Sequence, residues 1–180
     1  KYDKMFKNRM LFSVMYNDSY MYSTTYHTGY SEGTINALCN LSQLKADSWG
    51  LSHEVGHSNQ TRPGLKWTGM TEVTNNIHSM YMQRINSGDS RLWLKGYYPN
   101  AMTTAFTGTP HIKVGKVDGK GSEDVFCQLV PFWQLQLYMA YVLGKEEFYP
   151  DVYEYIRNNT VTGKQAWEYQ VEFTYICSKI

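Results

Sequence analysis

The feature that most constrains this chain is the segment His53-Glu54-Val55-Gly56-His57, in which two histidines stand four residues apart. Residues four apart lie on one face of a helix, so both imidazoles can point at one ion while Glu54 stands beside it. The pattern can act in this way only if the segment folds as a helix. It is typical of the metal-binding helix of zinc hydrolases.

The flanking sequence favours a helix over residues 49–60. Asp47 and Ser48 offer side-chain oxygens that can cap its first turn. Gly56 allows another backbone or a substrate to approach the helix closely, although simple packing explains a glycine there equally well. The sequence therefore predicts a helix that presents His53 and His57 together.

A second helical pattern begins near Thr71 and is opened by Glu72. Its apolar stripe consists of Val73, Ile77, Met80, Tyr81 and Ile85. Asn86-Ser87-Gly88 is its stop signal. A catalytic zinc ion usually takes three protein ligands and keeps one position for water, and two histidines with one carboxylate form a known set. Glu72 can supply the third ligand. Asn76, one turn later, can accept the free ring N–H of a ligand histidine and fix its tautomer.

Several stretches together resemble one family, the M60-like, enhancin-type zinc metallopeptidases. They are WGLSHEVGHSNQ, then Trp67, then GMTEVTNNIHSMY, and further on VPFWQLQLYMAY and FYPDVYEYIRNN. The similarity covers most of residues 10–175. The signature of that family is a His-Glu-x-x-His helix followed, after a variable gap, by a glutamate ligand.

The resemblance implies a gluzincin-like architecture with one zinc ion. By that resemblance His53, His57 and Glu72 are the zinc ligands and Glu54 is the general base. It also implies, as in many relatives, cleavage of mucin-type O-glycosylated proteins. It singles out Gln60, three residues beyond His57, as a side chain that could hydrogen-bond substrate.

Length and pattern bound the fold class. A chain of 180 residues suits one domain with a sizeable core. We expect an α+β, predominantly helical, zincin-like catalytic domain over residues 1–180, with a short N-terminal β region and a helical lower half. The chain begins with Lys1 rather than methionine, so we also expect it to be a segment of a longer protein.

Charge and composition exclude two classes of partner. The net charge is +1 with acidic and basic residues interspersed, which predicts neither nucleic-acid binding nor an anionic membrane surface. No apolar run is long enough to cross a bilayer. The 16 tyrosines favour surface recognition. Together with the resemblance, this predicts a secreted or cell-surface bacterial protein that acts on a protein or glycoprotein; the oligomeric state stays open.

Residues 10–30 are rich in aromatic and β-branched side chains, which predicts a hairpin or two short strands with Asn17-Asp18 as the turn. A strand next to the metal-binding helix could bind substrate backbone, or could pack only for stability. His27 and Tyr30 are candidates for stabilising a developing oxyanion, and a structural role in the strand is the alternative.

The remaining chain divides into one irregular and three helical parts. Turn signals punctuate residues 86–124, which predicts a long loop that walls the cleft. Helices are predicted over 131–143, 151–158 and 164–178, the first with Pro131 in its first turn and Gly144 at its C-cap.

Two other functions compete with catalysis. One is an inactive domain that keeps the metallopeptidase fold and binds glycans or glycoproteins through its aromatic surface. The presence of all four metal-site residues argues against it. The other is a structural zinc site, but two histidines and one glutamate leave a coordination position open, whereas structural sites are usually closed by four protein ligands.

Overall fold

A computed structural model describes residues 10–16, 19–60, 64–86, 90–107 and 125–180. These residues form an α+β structure that is mostly helical and contains one small sheet, as predicted. The elements in chain order are β1 (Leu11–Met15), β2 (Met21–Ser23), β3 (His27–Ser31), α1 (Glu32–Leu38), α2 (Leu41–Ala46), α3 (Trp49–Asn59), α4 (Thr71–Thr74), α5 (Asn76–Asn86), α6 (Arg91–Leu94), α7 (Tyr97–Thr107), α8 (Val125–Tyr141), α9 (Phe148–Asn158) and α10 (Ala166–Lys179).

Contacts within the described chain form two compact units. The sheet unit comprises the described residues of Phe6–Asn59 and Asn75–Lys95, and the helical unit those of Gln60–Thr74 and Gly96–Ile180. Among the described residues, none of the helices combines the length and apolar composition that a membrane crossing requires.

The sheet has the strand order β1-β3-β2, so β3 is its central strand. β1 runs parallel to β3 and β2 runs antiparallel to it. The prediction of a β region is confirmed, but a hairpin about Asn17-Asp18 would pair β1 with β2, and this pairing is wrong because β3 lies between them. The hairpin that forms instead joins β2 to β3. The hairpin turn lies at Thr24, whose hydroxyl accepts hydrogen bonds from the N–H groups of Tyr26 and His27. The expected turn at Asn17-Asp18 falls outside the described residues.

Helix α3 confirms the helix predicted over residues 49–60 to within one residue. The carboxylate of Asp47 accepts a hydrogen bond from the N–H of Trp49 at 3.1 Å and so satisfies one of the free donors of the first turn. Near its other end, the Ser58 hydroxyl lies 2.8 Å from that of Ser23 in β2 and donates to the carbonyl of Thr24. The hairpin is thus attached to the C-terminal half of α3.

The helix predicted from Thr71 onward is broken at Asn75 into α4 and α5. Val73, Ile77 and Met80 are buried as the apolar stripe predicted. Ile85 does not belong to this stripe, since 72 % of its surface is exposed. The stripe thus keeps its helical spacing across the break and ends before Ile85.

Gly56 of α3 lies directly against the backbone of Asn75, the residue before α5. A Cβ added there would overlap the backbone carbonyl oxygen of Asn75. Only glycine leaves room for that carbonyl group. The close approach to the helix that Gly56 was expected to allow is therefore present, and the group that approaches is the backbone of Asn75.

Substituting Gly56→Ala is therefore expected to lower the free energy of unfolding by about 1–3 kcal/mol, because backbone must move to admit the methyl group. Gly50→Ala, in the same helix, is the matched control: its Cβ would meet only the flexible end of the Met21 side chain, with Sδ at 3.5 Å and Cε at 3.9 Å. That variant is expected to be as stable as the parent or up to about 1 kcal/mol more stable. Urea denaturation measures both, and equal midpoints for the two variants would contradict the contact.

In the helical unit, α8 begins six residues before the predicted start and carries Pro131 in its interior rather than in its first turn. Proline cannot donate a helical hydrogen bond. Pro131 lies on the exposed face, while its neighbours Val130 and Phe132 are buried, so packing on both sides holds the helix through the proline. Gly144 follows the helix with a φ of +68°, the left-handed conformation expected of a C-cap glycine.

The prediction of a long loop over residues 86–124 is wrong for its first half, which forms α6 and α7. Pro99 is the third residue of α7, where a missing N–H costs little because first-turn donors have no helical partner. Residues 108–124 lie outside the described residues. Helices α9 and α10 confirm the last two predictions, with α9 beginning three residues earlier than expected.

Candidate metal centre

The two histidines of α3 face each other across one turn of the helix. Their ring centroids lie 4.8 Å apart and their planes are nearly perpendicular, at 86°. His53 is buried and His57 is partly exposed. The spacing of four residues thus places the imidazoles side by side, as the sequence predicted, with one of them accessible from outside.

Asn76, the first residue of α5, holds His53 from behind. Its side-chain oxygen lies 2.9 Å from His53 Nδ1 and 3.0 Å from the indole Nε1 of Trp49. An indole nitrogen can only donate, so this oxygen is an acceptor. His53 Nδ1 therefore carries the hydrogen, which leaves Nε2 with its lone pair for a metal ion.

Trp49 fixes the other side of the same histidine. Its ring lies 4.8 Å from that of His53, and the guanidinium of Arg91 lies 4.7 Å from the indole centroid. The indole is thus held by Asn76, His53 and Arg91 at once. A histidine surrounded in this way has little freedom to turn.

Glu54 is buried beside His53, with its Oε1 3.9 Å from His53 Nε2. Tyr30 of β3 is completely buried, and burial raises its pKa to about 12, with the charge of Glu54 adding to the effect. The structure thus brings Tyr30 under the electrostatic influence of Glu54. A fully buried hydroxyl favours a supporting role in the sheet over the predicted contact with a substrate oxyanion.

Glu72, in the first turn of α4, is exposed. One ligand atom from each of His53, His57 and Glu72 falls within 4.8 Å of the other two. Two imidazoles and one carboxylate form a donor set that suits zinc, and fewer than four protein ligands leave a position for water. The three residues singled out as ligands are therefore together, and their chemistry fits the ion.

His27 and Gln60 are engaged elsewhere. The two ring nitrogens of His27 lie 2.9 Å from the Tyr22 hydroxyl and 2.8 Å from the Thr24 hydroxyl, so this histidine braces the hairpin. Gln60 is buried, and its amide nitrogen donates to the carbonyl of Thr71 at 3.0 Å and to the hydroxyl of Thr74 at 2.8 Å. These contacts favour structural roles for both residues over contact with substrate.

Sequence reasoning missed Asn75. Its side chain is fully buried, and its amide nitrogen lies 3.3 Å from His53 Nε2 and 3.1 Å from His57 Nε2. Asn75 is three residues after Glu72 and Asn76 is four, so both lie on the side of Glu72 in a helix, but only Asn76 was considered, and the break at Asn75 was not predicted. The helix pattern carried no signal for that break beyond the weak helix propensity of two consecutive asparagines.

Comparison with known sequences gives a match to one family. Residues 2–180 match the sequence model of the family described as peptidase M60, enhancin and enhancin-like. The match therefore covers nearly the whole chain, including α3 and α4 with their candidate ligands.

Solved structures of three proteins are similar to this one. A functionally unknown conserved protein of Bacillus anthracis has a TM-score of 0.76 and 34 % identity, covering 94 % of this chain and 33 % of its own. A metallopeptidase in complex with Tn antigen has a TM-score of 0.72 and 23 % identity, covering 89 % and 30 %. The M60 catalytic domain of Clostridium perfringens ZmpC, in complex with the sialyl T antigen, has a TM-score of 0.60 and 24 % identity, covering 93 % and 30 %. The chain spans about a third of the length of each of these proteins.

Proposed function

The chain belongs to the peptidase M60 family of enhancin and enhancin-like proteins, and from that premise we propose that it is a zinc-dependent endopeptidase acting on O-glycosylated proteins outside the cell. The observation that carries the catalytic part is the group of ligand atoms from His53, His57 and Glu72, which lie within 4.8 Å of one another. Glu54 stands next to this group, 3.9 Å from His53 Nε2.

Each residue of the centre has a defined task in this proposal. His53, His57 and Glu72 would hold a zinc ion, which would supply Lewis acidity to polarise the scissile carbonyl and acidify the attacking water. Glu54 accepts the proton of the attacking water and later gives it to the leaving nitrogen, acting first as general base and then as general acid. Asn76 and Trp49 keep His53 in the tautomer whose Nε2 can bind.

The substrate part of the proposal is supported by two similar proteins. One of them was solved with Tn antigen and the other with the sialyl T antigen. Their identities to this chain, 23 % and 24 %, support a shared fold only. A preference of this chain for glycosylated substrates is therefore our inference. Exposed aromatic side chains in the sheet unit offer faces on which sugars can pack: Tyr20, Tyr26 and Trp93.

The test is to incubate the protein with an O-glycoprotein and with the same protein after enzymatic removal of its glycans. Mass spectrometry of the products, with and without a chelator, gives the rates. We expect cleavage that the chelator abolishes, and at least about tenfold slower cleavage of the deglycosylated form, because contacts to the sugar would be lost.

The other outcomes separate the competing functions. Equal cleavage of the two forms would leave a metallopeptidase without glycan selectivity and end the glycan proposal. Binding of the glycosylated form with no cleavage, unaffected by the chelator, would instead identify an inactive glycoprotein-binding domain that retains the fold.

A further inference from the structure

The side chain of Gln60 is buried against the first turn of α4. Its amide nitrogen donates to the hydroxyl of Thr74 at 2.8 Å, to the carbonyl of Thr71 at 3.0 Å and to that of Met70 at 3.3 Å. The Thr71 carbonyl belongs to the peptide bond that joins Thr71 to Glu72. The amide of Gln60 therefore holds the main chain directly beside a candidate metal ligand.

Two carbonyl groups fix which end of the Gln60 amide faces α4. A carbonyl oxygen can only accept, so the nitrogen of the amide, and not its oxygen, must face them. The nitrogen carries two hydrogens, and its two closest acceptors are the Thr74 hydroxyl and the Thr71 carbonyl. The Thr74 hydroxyl in turn donates to the carbonyl of Leu65. Gln60, Thr74 and Leu65 thus form one continuous chain of hydrogen bonds within the helical unit.

Helix α4 depends on contacts of this kind because it is short. It has four residues, about one turn, and the N–H groups of Val73 and Thr74 both donate to the Met70 carbonyl. A single turn is unfavourable by itself, since several dihedral angles are fixed for few hydrogen bonds. The Glu72 side chain is exposed, so the place of its carboxylate depends on where its main chain lies. Gln60 supplies part of what holds that main chain.

We propose that Gln60 is a positioning residue for Glu72: its amide holds the peptide bond before Glu72 so that the carboxylate can join the two histidines as a metal ligand. Gln60 directly follows α3 and stands three residues after His57. The covalent chain ties it to the helix that carries the histidines, and its hydrogen bonds tie it to the peptide of Glu72. The proposal rests on the proposed function only in taking Glu72 as a ligand, and it replaces the contact with substrate that the family resemblance implied for Gln60.

The test compares the zinc dissociation constants of the unsubstituted protein, Gln60→Met and Gln60→Asn, with a chromogenic chelator as competitor. Methionine has nearly the length of glutamine but no N–H group, and asparagine keeps the amide one methylene too short. We expect both variants to bind zinc about tenfold more weakly or worse, the usual effect of removing a group that orients a ligand.

Ile176→Val is the matched control for a loss of stability. Ile176 is buried in α10 of the same unit, and its substitution removes one core methyl group. Its melting temperature should fall while its zinc dissociation constant stays at the parental value. If its zinc binding weakened as much as that of Gln60→Met, lost stability alone would explain the effect and the proposal would fail.

The pair of Gln60→Met and Glu72→Ala shows whether Gln60 acts through Glu72. In the Glu72→Ala background, zinc binding is expected to be weak and to be the same with and without Gln60→Met, because the carboxylate that Gln60 positions is gone. Equal losses in both backgrounds would overturn the proposal. A parental zinc affinity in Gln60→Met, with weak binding in Glu72→Ala, would refute this inference alone. If the unsubstituted protein bound no zinc, or Glu72→Ala bound it as tightly as the parent, the ligand assignment of the proposed function would fail and this inference with it.

Discussion

Replacing His57 with alanine is expected to abolish stoichiometric zinc binding. His57 is one of only three side chains in the candidate ligand group, and its Nε2 also contacts the Asn75 amide. Without it one imidazole and one carboxylate remain, which is fewer protein ligands than zinc sites in proteins normally have. Elemental analysis of the purified variant after zinc loading and desalting measures the effect directly.

His27→Ala is the matched control for this loss. Its ring is held in the hairpin by the hydroxyls of Tyr22 and Thr24, so its removal should leave zinc at one equivalent. Zinc content in His57→Ala equal to that of the parent would show that the ion, if bound, lies elsewhere. A loss of zinc in both variants would point instead to general damage to the sheet unit.

Glu54→Gln is expected to keep zinc and to reduce hydrolysis by about 10²-fold or more. Glutamine has nearly the shape of glutamate, so the buried position can retain its packing, but an amide cannot take the proton of the attacking water. Glu54 does not belong to the group of ligand atoms, so metal content should be unchanged. Initial rates on the glycoprotein substrate, with zinc content measured in parallel, separate the two effects.

Glu32→Gln, an exposed substitution in the first turn of α1, controls for the loss of one negative charge. It should cleave at the parental rate. If Glu54→Gln also cleaved at that rate, Glu54 would not be the base. If it had lost its zinc, the side chain would be needed for the metal centre rather than for proton transfer.

Sequence alone predicted the helix that carries the centre because several local signals agreed. The histidine spacing, the capping carboxylate of Asp47 and the glycine at position 56 all lie within one short segment, and each acts on its immediate neighbours. Local signals of this kind do not depend on the rest of the fold. The structure confirms α3 and, through Gly56, the close approach of another backbone.

Features that depend on contacts distant in sequence were not predictable. β1 pairs in parallel with β3, and this pairing places Leu11 opposite His27. Parallel strands are not joined by a tight turn, so no turn signal in the sequence predicts the pairing. Tyr98-Pro99-Asn100 has the composition of a turn, yet a proline in the first turn of a helix is equally acceptable. Pro131 was placed at a helix start because the burial on both sides of it was not visible in the pattern.

The same limit applies to the candidate centre. Asn76 was singled out because one helical turn separates it from Glu72, and its contact with His53 at 2.9 Å agrees with the proposed support. Asn75 was overlooked because only the residue four positions after Glu72 was considered, although the residue three positions after it lies on the same side of a helix. Helical spacing alone could not decide which imidazole nitrogen each of the two adjacent asparagines contacts, because that depends on how the helices pack.

The burial of Tyr30 in the central strand gives the fold an alkaline limit. A tyrosine in the unfolded chain ionises near pH 10, whereas burial raises the pKa of Tyr30 to about 12. The folded state thus holds this proton more tightly than the unfolded state. The stabilisation is complete below pH 10 and is lost as the pH rises through about 12. At strongly alkaline pH we therefore expect β3, the central strand, to be destabilised, because the Tyr30 phenolate is unfavourable in a buried site without water or a cation.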